Sequence, residues 1–161
     1  MIIILTGPAG SGKNTIANLY VRSKTKGADI DVDLLRWMYR QPHVALWEGE
    51  EGFRQLSVGA RHACLLAKSF SDEGCDIAIT DILTNDTARI YREGLEGYDY
   101  MIIKLDPSWD ESLKRLRGKG TITDDEAKFV YDLQLKLTDF DKKINNTNMK
   151  PEEVMAQLET E

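Results

Sequence analysis

The feature that most constrains the fold is a short apolar run followed at once by a glycine-rich turn. Residues 1–6 read MIIILT, and the segment GPAGSGKNT occupies residues 7–15. Large and branched apolar residues in a run of this length predict a buried strand, and Gly7-Pro8 predicts its end. Residues 13–24 then show apolar side chains at helical spacing. The sequence therefore predicts a strand, a tight turn and a helix in direct succession.

The turn has the spacing of a phosphate-binding loop. The pattern Gly7-x4-Gly12-Lys13 contains a further glycine at position 10. Glycines let the backbone curl so that its N–H groups point inward, and the helix N-terminus adds partial positive charge. Lys13 would reach the outer phosphates of a nucleotide. The alternative is a glycine-rich turn with an exposed lysine and no ligand. The predicted nucleotide contacts are Gly7, Pro8, Ala9, Gly10, Ser11, Gly12, Lys13, Asn14 and Thr15.

Asn14 departs from the usual pattern. A Ser or Thr normally follows the lysine, because its hydroxyl is a compact oxygen ligand for magnesium. The carbonyl oxygen of an Asn side chain can also bind the ion, directly or through a water molecule. Thr15 is placed to contact the first phosphate. We therefore predict nucleotide binding by the loop, with Asn14 among the magnesium ligands.

Strand-length apolar runs alternate with helical patterns along the rest of the chain. Further strands are predicted at 28–32, 75–83, 98–106 and within DKKINNTN. Helices are predicted from Asp33, at 53–72, 85–96, after Pro107, at 123–138 and in KPEEVMAQLE, with an irregular connection at 41–52. This order predicts an α/β fold with a mostly parallel sheet covered on both faces. In such sheets ligands bind beyond the carboxyl ends of the strands.

Acidic residues follow the second and third predicted strands, where a ligand would bind. In extended chain Asp31 and Asp33 face the same side. We predict Asp33 as the general base that contacts the acceptor hydroxyl, and Asp31 as a metal ligand. Asp81 is predicted to hold magnesium or to contact the acceptor, and Arg36 to hold negative charge on the acceptor. The alternatives are that Asp33 caps a helix and that Asp81 is a turn residue.

A basic cluster occupies the segment LKRLRGKG. Arg115, Arg117 and Lys119 could close over a nucleotide and neutralise charge on the transferred phosphate. The alternative is a solvated helix end, where cations suit the helix dipole. Arg89 and Arg92, from the helix after the third strand, are weaker candidates, of which Arg89 is predicted to contact the acceptor.

Aromatic and sulfur-containing residues lead to plainer predictions. Trp37 and Trp47 are predicted to pack in the interior, with a pocket wall as the alternative for one of them or for His43. Cys64 and Cys75 form no CxxC pair, so both are predicted to be reduced thiols.

Charge and composition exclude several classes of protein. The net charge of −6 argues against a nucleic-acid partner, although a local basic groove stays open as an alternative. No apolar run approaches a membrane span, and the first apolar run is too short for a signal peptide, so we expect a cytoplasmic protein. Residues 1–161 suit a single domain. The sequence does not predict an oligomeric state.

The motifs, taken together, resemble those of the small P-loop kinases. This group includes gluconate and shikimate kinases, chloramphenicol phosphotransferase and the zeta-toxin-like proteins. The resemblance runs through the whole chain in order, and only the phosphate loop is a specific motif. The segments that carry it are GPAGSGKNT, DVDLLRWM, DIAITDIL, LDPSWDESLKRLRGKG and INNTNMKPEEV.

The resemblance implies a three-layer P-loop fold with five parallel strands in the order 2-3-1-4-5. It also implies an ATP- and magnesium-dependent phosphotransferase with a lid near residues 113–123. By this resemblance Asp33 is the catalytic base, and Arg115 contacts the adenine and acts in catalysis together with Lys13. Asn146 lies in the segment that resembles the loop beside the adenine base.

Three functions remain open from the sequence. The first is a kinase that transfers the γ-phosphate of ATP to a hydroxyl of a small-molecule acceptor. The second is a kinase whose acceptor is a hydroxyl of nucleic acid or of a modified nucleotide. The third is a regulator that binds nucleotide without transferring phosphate, for which Asn14 is the only support. The acceptor cannot be assigned from the resemblance.

Overall fold

Five parallel strands form the centre of the fold, in a computed structural model that describes residues 1–117, 120 and 122–158. Their order across the sheet is β2-β3-β1-β4-β5. The α/β class and the strand order are confirmed. The strands are β1 (Ile2–Thr6), β2 (Gly27–Asp31), β3 (Asp76–Thr80), β4 (Tyr100–Leu105) and β5 (Lys142–Ile144).

Helices cover both faces of the sheet. Ile2 and Ile4 of β1 pack with the third and fourth helices on one face, while Ile3 and Leu5 pack with the first and last helices on the other. Each central strand is therefore apolar on both sides, as the run in β1 predicts. The described helices are α1 (Lys13–Arg22), α2 (Val32–Arg36), α3 (Glu50–Asp72), α4 (Asn85–Gly94), α5 (Trp109–Leu116), α6 (Asp124–Leu135) and α7 (Pro151–Leu158).

The start of α2 corrects one prediction. Asp31, not Asp33, is the N-cap of this helix, and its carboxylate accepts a hydrogen bond from the Asp33 backbone N–H. The helix begins at Val32, one residue earlier than predicted, so the capping position moves into the end of β2. Asp33 lies in the first turn, and its side chain is not needed as a cap.

Connections between elements differ in detail from the prediction. The irregular stretch runs from Trp37 to Gly49, because α3 already begins at Glu50. The predicted lid at 113–123 contains the end of α5, and three of its residues, Gly118, Lys119 and Thr121, lie outside the described residues. Cys64 and Cys75 are free thiols, as predicted. None of the described helices is long and apolar enough to span a membrane.

Candidate active site

Two glycines shape the loop between β1 and α1. Gly10 has a φ of 79° and Gly12, the N-cap of α1, has a φ of 92°. Residues with a Cβ atom rarely adopt this left-handed region. A Cβ on Gly10 would also lie 2.4 Å from the Ser112 carbonyl oxygen of α5. Gly10 therefore supports the turn and allows α5 to pack directly against it.

Lys13 holds its ammonium group against the loop. Its Nζ donates hydrogen bonds to the carbonyl oxygens of Gly7, at 2.8 Å, and Pro8, at 3.1 Å. Burial lowers the pKa of Lys13, against the opposing effect of nearby carboxylates, of which Asp33 is the strongest. The lysine is thus a desolvated cation at the phosphate loop, where a phosphate group could replace its carbonyl partners.

Arg115 and Asn146 meet on the carbonyl oxygen of Ser11. Asn146 Nδ2 donates to it at 2.8 Å and Arg115 Nη1 at 3.4 Å, while Arg115 Nη2 donates to the Asn146 carbonyl at 2.9 Å. Glu111 accepts from Arg115 Nε at 2.8 Å. Asn146 is buried, and its Oδ1 has no hydrogen-bond partner within the described part of the chain. These two predicted residues are brought together beside the loop.

A cavity of about 560 Å³ opens beside this cluster. Arg115 and Asn146 line it together with Gly12 and Thr15 of the loop and Pro151 at the start of α7. The cavity has a guanidinium, an amide and apolar atoms on its walls. A flat heteroaromatic ring fits such a surface, because arginine stacks on aromatic faces.

A second cavity, of about 750 Å³, lies on the other side of the loop. Gly10 lines both cavities, so the loop forms the wall between them. Six predicted site residues line the second cavity, namely Ala9, Gly10, Lys13, Asn14, Asp33 and Arg36. Its other lining residues include Trp37, His43, Leu46, Trp47, Glu48, Ile82, Leu116, Ile122, Glu126 and Val130.

Asp33 and Arg36 form an unequal pair in this second cavity. Arg36 Nη1 donates to Asp33 Oδ1 at 3.3 Å, and the Asp33 side chain is 63% exposed while that of Arg36 is 8% exposed. Arg36 Nη2 reaches the Val44 carbonyl at 3.5 Å, and Nε finds no acceptor among the described residues. Gly59 of α3 makes room for the arginine, since a Cβ there would lie 3.0 Å from Arg36 Cγ. The guanidinium is therefore held in place, and not all of its N–H groups have an acceptor among the described residues.

Asn14 and Asp31 are joined by a hydrogen bond of 2.9 Å from Asn14 Nδ2 to Asp31 Oδ2. Burial, followed by the nearby charge of Asp33, raises the pKa of Asp31. Among the described residues no group of three or more His, Cys, Asp or Glu side chains could hold a metal ion. The oxygen atoms of Asn14, Asp31 and Asp33 are of the type that magnesium prefers. The donor set therefore fits an ion that arrives already bound to nucleotide phosphates.

Asp81 lies deeper than the sequence predicts. It is 4% exposed, its Oδ2 accepts from the Tyr91 hydroxyl at 2.8 Å, and its Oδ1 accepts from the Ile82 N–H at 2.8 Å. Burial raises its pKa to about 7. Asp81 is not among the described residues that line either cavity. Both carboxylate oxygens already have partners, which argues against contact of Asp81 with the acceptor, while its predicted hold on magnesium through water stays a prediction.

The pKa of Asp81 predicts a pH dependence of stability. A raised pKa favours the protonated carboxyl in the folded state, so its stabilising effect is full below pH ~4 and is lost as pH rises through ~7. We expect the unfolding free energy of the wild type, relative to Asp81→Asn, to fall over this range by at most on the order of 4 kcal/mol. Urea unfolding of both proteins between pH 4.5 and 8 measures this difference in unfolding free energy. A difference that does not change with pH would contradict the raised pKa of Asp81.

Arg89 is not brought to the site. It is exposed on α4 and pairs with Asp86 at 2.9 Å, and it is not among the described residues that line either cavity. Arg92 pairs with Asp139 and Asp141 instead. Both arginines of α4 therefore pair with acids outside the cavities. The spacing of apolar residues in the sequence did not predict this direction.

Several cavity residues were not predicted from the sequence. Trp37 and Trp47 were predicted to pack in the interior, with a pocket wall as the alternative for one of them or for His43. All three line the second cavity, and Trp37 stacks on His43 with ring centres 3.8 Å apart. Glu48 and Glu126 also line this cavity and had no motif to mark them. The only signal was the clustering of aromatic residues in an irregular stretch.

No protein-family model matches the sequence, and no curated protein matches it. Solved structures with the same fold include kinases. A sugar kinase from a Janibacter species aligns over 98% of this chain and 91% of its own, with a TM-score of 0.73 and 15% identity. A tunicamycin resistance protein from Deinococcus radiodurans aligns over 98% and 92%, with a TM-score of 0.70 and 16% identity. Shikimate kinase from Aquifex aeolicus aligns over 98% and 93%, with a TM-score of 0.63 and 23% identity. The chain thus has the fold of the small P-loop kinases.

Proposed function

We propose that the protein is an ATP-dependent kinase that transfers the γ-phosphate to a hydroxyl of a small-molecule acceptor. The observation that carries the proposal is that Lys13 of the phosphate loop and the exposed carboxylate of Asp33 line the same cavity. Phosphoryl transfer needs these two groups together, one for the transferred phosphate and one for the attacking hydroxyl. The kinases among the structural neighbours support the same reading.

ATP would lie across the loop, with its base in the first cavity and its γ-phosphate at the edge of the second. The loop N–H groups and Lys13 would bind the phosphates, while Arg115 and Asn146 would hold the adenine. A magnesium ion, when bound, neutralises charge on the β- and γ-phosphates. Asn14 would hold this ion, with Asp31 beside it. The partners in this proposal are the nucleotide and one acceptor.

The transfer itself would depend on Asp33. Its carboxylate accepts the proton of the acceptor hydroxyl as the acceptor oxygen bonds to the γ-phosphorus. The bond from that phosphorus to the β–γ bridging oxygen breaks, and ADP leaves with the electron pair. Lys13 offsets the negative charge on the phosphates during this step, while Arg115, which lines the first cavity, stays with the adenine. Arg36 orients Asp33 through their contact and keeps other donors for the acceptor.

The position of Arg36 predicts that the acceptor carries a negative charge, and a substitution of this residue tests the prediction. Because the Arg36 guanidinium lines the second cavity beside Asp33, it favours an acceptor that carries a negative group near its reactive hydroxyl. Arg36→Met is expected to raise the KM for the acceptor about tenfold or more, with a smaller change in kcat and an unchanged ATP affinity. Steady-state kinetics with the acceptor varied at saturating ATP measures this split. An unchanged acceptor KM would show that Arg36 only positions Asp33.

The experiment that tests the function is ADP formation with pooled acceptors. Pools of hydroxy acids, neutral sugars, nucleosides and aminoglycosides separate anionic, neutral and cationic acceptors. We expect ADP formation above the acceptor-free rate with one pool, and the charge argument favours the hydroxy acids. A structured RNA and a DNA duplex complete the set, because they test the nucleic-acid alternative. Nucleotide binding without transfer to any of these would favour a regulator instead.

A further inference from the structure

Trp37 and His43 form a stacked pair on the wall of the second cavity. Their ring centres lie 3.8 Å apart, the rings are within 12° of parallel, and both residues line the cavity. His43 covers one face of the indole, yet Trp37 is still 56% exposed. Burial of an aromatic ring is strongly favourable, so an indole left open beside a cavity provides a surface that a second flat ring can cover.

Trp37 also lies close to the proposed general base. Its backbone N–H donates to the Asp33 carbonyl oxygen at 3.0 Å at the end of α2. Residues four apart on a helix lie on the same side, one turn from each other. Because Asp33 and Trp37 line the same cavity, one small acceptor can place its hydroxyl at the carboxylate and its ring on the indole.

One apolar cluster contributes a further part of the cavity lining. The members of this cluster that line the cavity are Leu46, Trp47, Ile82 and Val130. An acceptor with an apolar ring would bury that ring beside these side chains. A sugar would place hydroxyl groups against hydrocarbon, where they lose hydrogen bonds with water and gain none. The cluster therefore favours a ring with few hydroxyl groups over a polyol.

Two glutamates line the same cavity as Arg36. Glu48 Oε2 accepts a hydrogen bond from the Ala45 N–H at 2.6 Å, and Glu126 Oε2 accepts one from the Thr123 N–H at 2.8 Å. Each carboxylate keeps a second oxygen, Oε1, that can accept from a ligand. A carboxylate only accepts hydrogen bonds, so the two glutamates favour an acceptor with N–H donors and disfavour a second negative group.

We propose that the acceptor is built on a flat aromatic ring with an amino group and carries a negative group beside its reactive hydroxyl, an inference that rests on the proposed function. The ring stacks on the open face of Trp37, the negative group pairs with Arg36, and the amino group donates to Glu48 or Glu126. An aromatic amino hydroxy acid and a nucleoside 5′-monophosphate share this chemistry. A cavity of about 750 Å³ has room for either.

The aromatic ring is tested with mandelate and hexahydromandelate, which carry the same hydroxyl and carboxylate. Their affinities are measured by calorimetry on the protein saturated with ADP, which fills the first cavity. We expect mandelate to bind about fivefold more tightly, although the saturated ring is the more apolar. Trp37→Leu should remove this difference, and Trp37→Phe, which keeps a flat ring, should retain it. Phe70→Leu, at an exposed residue that lines neither described cavity, is the control.

The amino group is tested with 3- and 4-aminomandelate. We expect one of them to bind the ADP complex about fivefold more tightly than mandelate, because hydrogen bonds to a carboxylate are strong. The double variant Glu48→Gln, Glu126→Gln should lose this gain and bind mandelate as the wild type does, since glutamine still accepts the backbone N–H. Glu153→Gln is the control, because Glu153 also accepts from a backbone N–H three residues earlier and lines neither described cavity.

The two kinds of acceptor are separated with adenosine 5′-monophosphate and ribose 5-phosphate, which lacks the base. Both are titrated into the same ADP complex of the wild type and of Trp37→Leu. If the preference for the nucleotide over the sugar phosphate exceeds that for mandelate over hexahydromandelate, the ring is a nucleobase. The opposite order assigns the ring to an amino hydroxy acid. Either order, when it is lost in Trp37→Leu, supports the shared chemistry.

The remaining outcomes separate this inference from the proposed function. Equal binding of mandelate and hexahydromandelate, a preference that survives in Trp37→Leu, or failure of every probe to bind overturns the aromatic acceptor and leaves the kinase proposal standing. A gain from the amino group that survives in the double glutamine variant overturns the role of the two glutamates. Absence of ADP binding by the wild-type protein overturns the nucleotide site, and the proposed function with it.

Discussion

Replacing Lys13 with alanine is expected to reduce phosphate transfer by a factor of ~10² or more and to weaken ATP binding. The ammonium group lies at the phosphate loop and is already partly desolvated, as the lowering of its pKa by burial indicates. Its interaction with phosphate is therefore less weakened by water than that of a surface lysine. Calorimetry with ATP and the rate of ADP formation measure the two effects.

Lys26→Ala is the matched control for this variant. Lys26 also donates from Nζ to a backbone carbonyl, that of Glu73 at 3.0 Å, but it precedes β2 at the opposite end of the sheet. We expect wild-type binding and turnover in this control. Wild-type ATP affinity and turnover in Lys13→Ala would refute the assignment of the phosphate loop.

Asp33→Asn is expected to preserve folding and ATP affinity while slowing phosphate transfer by a factor of ~10² or more. The amide keeps the size of the side chain but cannot accept the proton of the acceptor hydroxyl. Folding should be retained, because Asp31 and not Asp33 caps α2. Calorimetry, circular dichroism and single-turnover kinetics follow ATP affinity, folding and transfer separately.

The chain offers a close control for Asp33. Asp86 is an exposed acid in the first turn of α4 and pairs with Arg89 three residues on, as Asp33 pairs with Arg36. Asp86→Asn removes the same charge from the same kind of pair, at a residue that lines neither described cavity, and should leave the rate unchanged. A near wild-type rate of phosphate transfer in Asp33→Asn would show that Asp33 is not the general base and only pairs with Arg36.

The sequence predicted the fold well because the strands have simple patterns. The apolar run of β1 and the alternation of strands with helices determine the parallel sheet, and the order of strands followed from the resemblance. The start of α2 was predicted wrongly because the capping preference of Asp applies at two neighbouring positions. Both Asp31 and Asp33 suit a helix start. The strand was predicted over 28–32, and in the structure its pairing with β3 ends at Asp31, so α2 begins at Val32 and Asp31 becomes the cap.

The site was predictable where one segment contains it and not where distant segments meet. The glycine loop, with Lys13, is local in sequence. The burial of Arg36 depends on Gly59, and that of Asp81 depends on Tyr91, and neither pairing has a signal in a single sequence. The direction of Arg89 depends on which face of α4 meets the sheet. The roles assigned to individual site residues stay predictions until the variants are measured.

The measurement that tests the central claim most directly is transfer of labelled γ-phosphate from ATP to pooled hydroxyl acceptors in the presence of magnesium. The account predicts a labelled product from one pool, lost in both Lys13→Ala and Asp33→Asn and retained in Asp86→Asn. ATP binding by the wild type with no labelled product from any pool, including the nucleic acids, would contradict it.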